Sequence, residues 1–303
     1  MDNVIEISHL VKTFDDLRAV DDLSFTVERG ELFAFLGVNG AGKSTTISIM
    51  CGTQSKDSGT VILDGKSVDT DMSAITAKIG VVFQASALDG YLTVKDNLYA
   101  RAALYGITGE AAKKRVGELK ELLGFGDYFN RALGKLSGGQ RRRIDVARAL
   151  IHKPEILILD EPTTGLDPQT RKTLWDVVDN CRRRDGMTVF LTTHYMEEAA
   201  DADHVVILDH GKIVAQGTPL ELKNAYTGDF ITIYNANENA VAALGYPYEK
   251  IRDAVRIEVK DTAAARDLIL AHPEVFDDFE ITKGKMDDVF LSVTGKKLEG
   301  GAL

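Results

Sequence analysis

The chain has only two cysteines in 303 residues, Cys51 and Cys181, far apart and in a spacing that matches neither a zinc site nor a redox pair. No disulfide framework is expected, and both are read as ordinary thiols of a reducing compartment. Also missing is any run of about eighteen apolar residues, and Met1-Asp2-Asn3-Val4-Ile5-Glu6 is not a basic leader followed by an apolar core. The expectation is a chain that neither crosses a membrane nor leaves the cytoplasm by a signal peptide. Basic charge is in deficit: 46 acids against 36 bases give a net charge of −10, which argues against a dedicated nucleic-acid or anionic-lipid surface. The two arginine triplets, Arg141-Arg142-Arg143 and Arg182-Arg183-Arg184, are short and lie within helical patterns, so they are read as solvated helix faces. Low-complexity tracts and solenoid repeats are absent.

What is present is enough apolar material, 44% of residues, for a large core and more than one structural unit. Gly37 to Thr45 reads Gly-Val-Asn-Gly-Ala-Gly-Lys-Ser-Thr and follows the buried-strand run Leu32-Phe33-Ala34-Phe35-Leu36. That is the G-x-x-x-x-G-K-[ST] phosphate cradle in its required strand-to-helix context. Backbone N–H groups of Asn39, Gly40, Ala41, Gly42 and Thr45 turn toward a polyphosphate, Lys43 reaches the β- and γ-phosphates, and the Ser44 hydroxyl suits Mg²⁺. A glycine-rich strand-to-helix turn that binds nothing is the alternative, disfavoured by the strand before the loop and the helix Thr45 to Met50 after it. The motif alone does not separate a kinase, a GTPase and a motor.

Around it, Val4 to Val27 alternates as half-buried antiparallel strands, with Phe14 between them; an aromatic there more often packs locally than stacks on a base. Ser58 to Lys66 continues that sheet. Ile79 to Phe83 is a short strand ending on Gln84. From Thr93 to about Ala149 the period turns helical, and β returns at Ile156 to Asp160, Thr188 to Thr193 and His204 to Leu208 around a helix near Gln169 to Arg183. Strands alternating with helices predict a mostly parallel sheet covered on both faces. Past about Lys223 the composition shifts, with strands at Phe230 to Tyr234, Val255 to Val259 and Phe279 to Thr282 between short helices. The expected fold class is therefore α/β: a P-loop parallel-sheet core with an N-terminal antiparallel β subdomain and a helical insert at about 86–149. Residues 1–223 form that domain and 224–303 a small α/β or α+β domain.

Two further features narrow the chemistry. An apolar strand ends on Asp160 and is followed by Glu161; an acid at that place suits Mg²⁺ held through water, and its neighbour suits a base for an attacking water. Leu136-Ser137-Gly138-Gly139-Gln140 opens an amphipathic helix, with Ser137 as its N-cap. Glycine in a first turn weakens a helix by about 1 kcal/mol relative to alanine, so two there suggest close approach of a ligand to a second helix N-terminus.

These residues resemble the ATP-binding subunit of an ABC transporter over about residues 4 to 220: Walker A at Gly37 to Thr45, the LSGGQ signature at Leu136 to Gln140 and Walker B at Ile156 to Asp160. The resemblance implies a RecA-like core and an ATPase that uses ATP and Mg²⁺. It makes Phe14 the adenine-stacking aromatic, with Val20 also in the nucleotide site. It makes Gln84 the Q-loop ligand to Mg²⁺ and water, Ser44 and Asp160 further Mg²⁺ ligands, Glu161 the general base and His194 the switch histidine. Asp167 falls in the D-loop. Ser137, Gly138, Gly139 and Gln140 then face the ATP of a second copy in a head-to-tail sandwich. Val38 stands where the family often has proline and Arg142 where glutamine is common; neither position is expected to supply catalytic side-chain chemistry.

The segment Leu92-Thr93-Val94-Lys95-Asp96-Asn97-Leu98 and the ending Met286 to Gly295 are similar to those of ABC-2 exporters of the daunorubicin-resistance type. The same ending also reads as an amphipathic docking helix with Val289, Phe290 and Val293 on its apolar face. The implied partners are separately encoded membrane permease subunits and a second copy of the chain, at the cytoplasmic face of the cell membrane, with no nucleic acid. A soluble ABC ATPase acting on ribosomes or DNA is the other reading; such proteins usually carry two cassettes, long coiled coils or zinc-binding cysteines. A P-loop kinase is disfavoured by the signature and by Glu161.

Overall fold

The computed structural model describes residues 2–295. They fall into two compact units, the described residues of Met1–His194 with Ala202–Val214, and those of Tyr195–Asp201 with Ala215–Leu303. Compactness thus divides the chain near Ala215, where the composition shift alone points to about 224.

The first unit opens with β1 (Asn3–Phe14) and β2 (Leu17–Glu28), an antiparallel pair in which Leu23, Phe25 and Val27 are buried while Ser24 and Thr26 face water. β3 (Leu32–Gly37) is buried at all six positions and runs through the glycine loop into α1 (Lys43–Met50). β4 (Ser58–Leu63) and β5 (Lys66–Ser67) complete a sheet of order β2-β1-β4-β5. After α2 (Met72–Thr76) and β6 (Ile79–Val82) come the helices α3 (Val94–Leu104), α4 (Gly109–Leu123) and α5 (Gly138–Leu150). β7 (Ile156–Asp160), α6 (Pro168–Asp185) and β8 (Thr188–Thr193) follow. Beyond α7 (Met196–Ala200), which belongs to the second unit, come β9 (His204–Asp209) and β10 (Lys212–Gly217).

The core sheet has the order β10-β9-β3-β8-β7-β6, and β9, β3, β8, β7 and β6 run parallel. Continuous apolar strands such as Ile156-Leu157-Ile158-Leu159 read as they do because both faces are covered. Leu36 pairs with Thr193, Asp160 with Thr192 and Val82 with Leu159, so four strands end at one edge. Phe25, Phe33, Phe35 and Phe190 interlock beneath it with ring centroids 5.2 to 6.5 Å apart, a spacing at which aromatic pairs add attraction beyond area burial.

The second unit continues with α8 (Pro219–Tyr226), β11 (Asp229–Tyr234), α9 (Glu238–Ala243), β12 (Tyr248–Ile251), β13 (Ala254–Val259), α10 (Thr262–Ala271), β14 (Phe279–Lys283) and α11 (Met286–Thr294). Its strands form an antiparallel sheet of order β12-β13-β11-β14, an α+β arrangement. Ile231, Ile233, Val255 and Ile257 pack with Val241, Leu268 and Phe276 in a core of its own. β12 is exposed at every position, so no apolar alternation marks it in the sequence. In α11 Val289 and Phe290 are buried and Val293 half-buried, as the docking-helix reading expects. Among the described residues no helix is long and apolar enough to cross a membrane.

The helical segment is tied to the core sheet just past α5. His152 stacks on Tyr105, ring centroids 3.9 Å apart, and its Nε2 lies 3.0 Å from the Ile79 carbonyl oxygen. Burial holds the imidazole pKa down at about 4 from its ordinary 6.5, against the Ile79 hydrogen bond, with Arg101, Arg115 and Arg148 pushing the same way as burial. Between those values the unfolded chain binds a proton that the folded chain refuses. Stability is therefore intact above pH 6.5 and falls as pH drops toward 4. Between pH 7 and pH 5 the thermal unfolding midpoint of the wild type is expected to fall further than that of His152→Phe, which keeps the aromatic stack; equal falls in calorimetry would remove His152 as the cause.

Candidate active site

The four strand ends bring the acidic and basic groups together. Lys43, at the first position of α1, is buried and folds back over its loop, its Nζ donating to the carbonyl oxygens of Gly37 at 2.7 Å and Val38 at 3.2 Å. Glu161 follows β7, and its Oε1 lies 3.7 Å from the same Nζ. Gln84, two residues past β6, donates from Nε2 to Glu161 Oε2 at 3.3 Å. His194, directly after β8, places Nδ1 3.4 Å from that oxygen. Lys43, Gln84 and His194, far apart in sequence, thus converge on the carboxylate of Glu161, in the crevice at the carboxyl ends of a parallel sheet where such folds hold ligands.

The loop that reaches the site needs Gly42. Its φ is 105°, and a Cβ would collide with the carbonyl oxygen of Ala19. Asn39 and Gly40 are exposed at the loop tip, Ala41, Gly42 and Lys43 are buried, and Ser44 is exposed at the start of the helix with Thr45 half-buried behind it. The N–H row and the dipole end of α1 make an anion seat, with one exposed hydroxyl beside it.

Electrostatics inside the cluster oppose one another. Burial lowers the Lys43 pKa while Glu161 and Asp160 raise it. Burial raises the Asp160 pKa, and the hydrogen bond from Thr192 Oγ1, 2.6 Å from Oδ1, lowers it, with Glu161 nearby adding to the rise. The side chains that would hold a Lewis-acidic cation are the hydroxyl of Ser44, the carboxylate of Asp160 and the amide oxygen of Gln84, whose nitrogen is turned to Glu161. All three are hard oxygen ligands of the kind Mg²⁺ takes with phosphate. Among the described residues no three His, Cys, Asp or Glu side chains form a metal-holding group, so phosphate oxygens and water would complete the shell.

Glu161 itself sits in a tight turn. Its φ is 45°, in the left-handed region, which costs a non-glycine residue about 1–2 kcal/mol. The strain is held from one side by its N–H, which donates to the Thr192 carbonyl at 3.0 Å and lies 3.2 Å from Thr192 Oγ1.

The signature residues form a second cluster. Ser137 Oγ accepts from Gln140 N at 3.2 Å while Gln140 Oε1 accepts from Ser137 N at 3.0 Å, a reciprocal capping box. Gly139 fits tightly against Thr170, where a Cβ would come within 3.1 Å of Cγ2, whereas a Cβ at Gly138 would meet no heavy atom within 4 Å. The two glycines therefore have different causes: packing inside the chain at 139, open space at 138. Asp167 caps α6, its carboxylate accepting from Thr170 N at 2.9 Å and Thr170 Oγ1 at 2.6 Å, which holds its pKa below the usual carboxylate range.

Two sequence-based expectations change. Val20 is fully buried in the hydrophobic core, so its side chain packs there and does not face a nucleotide. Arg142 is no solvated residue: it is 8% exposed and its guanidinium donates to four backbone carbonyls. Phe14 is at the end of β1 and 41% exposed, with Lys12 Nζ 5.2 Å from its ring centre, so it does not pack into the core. Thr192 was not singled out from the sequence, where its only mark is a place beside Thr193 and His194 at a strand end.

An ABC transporter family model matches residues 20–164. The chain is 36% identical to the daunorubicin/doxorubicin resistance ATP-binding protein DrrA of Streptomyces peucetius, over 96% of this chain and 92% of that one. It is 34% identical to the linearmycin resistance ATP-binding protein LnrL of Bacillus subtilis, over 97% and 99%. Among solved structures it resembles the dimeric post-hydrolysis state of the ATP-binding cassette MJ0796 bound to ADP and Pi, with 26% identity and a TM-score of 0.66 over 71% of this chain and 98% of that one. The chain belongs to the ABC transporter family as one of its ATP-binding subunits, and it is an ATPase.

Proposed function

We propose that this ATPase powers a membrane exporter by closing head to tail with a second copy around ATP and moving separately encoded permease subunits. The observation that carries the mechanism is the convergence of Lys43, Gln84 and His194 on the Glu161 carboxylate at one sheet edge. In this reading the backbone N–H groups of Asn39 to Thr45 seat the polyphosphate, Lys43 turns from its loop carbonyls to the β- and γ-phosphates, and Phe14 stacks on the adenine. Mg²⁺, held by Ser44, by Gln84 and through water by Asp160, would neutralise charge on the phosphates. Glu161 accepts the proton of the attacking water, and Gln84 and His194 orient its carboxylate. Ser137 to Gln140, with the open surface at Gly138, meet the γ-phosphate held by the other copy, and Asp167 lies at the same seam. Hydrolysis removes contacts made only in the closed pair, so the pair opens.

Export and drug-like or lipid-like cargo are supported by the names of the relatives, which match nearly end to end, and by the resemblance of the ending that folds as α11. In this reading the permeation path lies in partner subunits, and the chain works at the cytoplasmic face of the membrane without nucleic acid; among the described residues no helix is long and apolar enough to cross a membrane.

Glu161→Gln is expected to slow ATP turnover by about 10²- to 10⁴-fold and to accumulate an ATP-bound dimer in size-exclusion chromatography; hydrolysis near the wild-type rate would overturn the base assignment. Phe14→Ala should weaken ATP binding by about 5- to 150-fold, the equivalent of one lost base stack. Calorimetric titration with tripolyphosphate, which has no base, should be unchanged in that variant, and a parallel loss there would remove Phe14 from the adenine.

A further inference from the structure

Helix α5, which opens at the signature turn, carries a row of buried charge at spacing i, i+3, i+6: Arg142, Asp145 and Arg148. That spacing puts them on one face, and the face meets the strand that leads to Gln84. Arg148 donates to the carbonyl of Val81 at 2.6 Å, Arg142 Nη1 to that of Phe83 at 2.5 Å, and Ser86 donates its hydroxyl to Asp145 at 2.8 Å. The segment on both sides of Gln84 is therefore fastened to one helix at three points.

Arg142 reaches further. Its Nε donates to the Pro162 carbonyl at 2.6 Å, and its Nη2 to those of Glu161 at 2.9 Å and Asp160 at 3.1 Å. These four donor contacts all go to main-chain oxygens. The three carbonyls belong to the left-handed turn at Glu161, the fourth to the residue before Gln84. A strained backbone persists only where its surroundings over-determine it, and here Thr192 holds the N–H side while Arg142 holds the carbonyl side.

We propose that Arg142 is a positioning residue for ATP hydrolysis: its guanidinium locks the turn that aims the Glu161 carboxylate and joins it to the strand end that bears Gln84. The inference rests on Glu161 being the base. Glutamine has two amide N–H groups and can satisfy at most two of the four carbonyls. Lysine keeps the charge, but its donors radiate from one nitrogen and cannot span them.

The test is steady-state ATP hydrolysis by the purified full chain for Arg142→Gln, Arg142→Lys, Glu161→Gln and the double variant Arg142→Gln with Glu161→Gln. Misaiming a catalytic group by about 1 Å is worth about 10²-fold, so Arg142→Gln and Arg142→Lys should each lose about that much in kcat with KM for ATP changed less than about twofold. The double variant should turn over as Glu161→Gln does, because there is then no base to aim. A kcat for Arg142→Gln within about threefold of wild type, a loss carried by KM alone, or a double variant that loses the product of the two single effects would overturn the proposal. If the glutamine variant does not fold, the lysine variant, alone and with Glu161→Gln, carries the same comparisons. Near wild-type turnover by Glu161→Gln would instead refute the base itself.

Discussion

The site depends on register. Parallel pairing of β3, β8, β7 and β6 brings Gly37, Thr193, Asp160 and Val82 to one edge, and Gln84 and His194, which meet the Glu161 carboxylate, are each within two residues of such an end. A slip by one residue in any of these pairings would turn that strand's side chains to the other face and withdraw its contribution. The interlocked Phe25, Phe33, Phe35 and Phe190 oppose such a slip, because each ring fills space that only the observed alignment leaves.

On that edge the chemistry is built from mutual frustration. Lys43 is pulled toward its neutral form by burial and toward its charged form by Asp160 and Glu161, while Asp160 is pulled toward its neutral form by the same burial. A polyphosphate and a divalent cation would supply charges of both signs to this pocket. The strain at Glu161 belongs with this, since the turn that costs backbone energy also presents the carboxylate to Lys43, Gln84, His194 and Thr164.

Much of this was legible in the sequence because the signals were local. A glycine spacing needs a strand before it and a helix after it, and both were visible; an apolar run ending on two acids announces its own register. Arg142 was illegible for a different reason. Helical periodicity sorts residues by polarity, and a polar face reads as a wet one; nothing in the pattern says that strand-end carbonyls lie opposite and want donors. Val20 lies buried in the core, on the inward-facing side of an alternating strand. β12 left no mark because an exposed edge strand has no buried face to alternate with.

Gly138 and Gly139 are neighbours with unlike reasons to be glycine. At 139 the restriction is written inside the chain, by Thr170. At 138 the chain itself imposes none: a side chain there would extend into open space among the described residues. A larger side chain at 138 would therefore leave the chain's own packing as it is and change only the surface that the helix end presents.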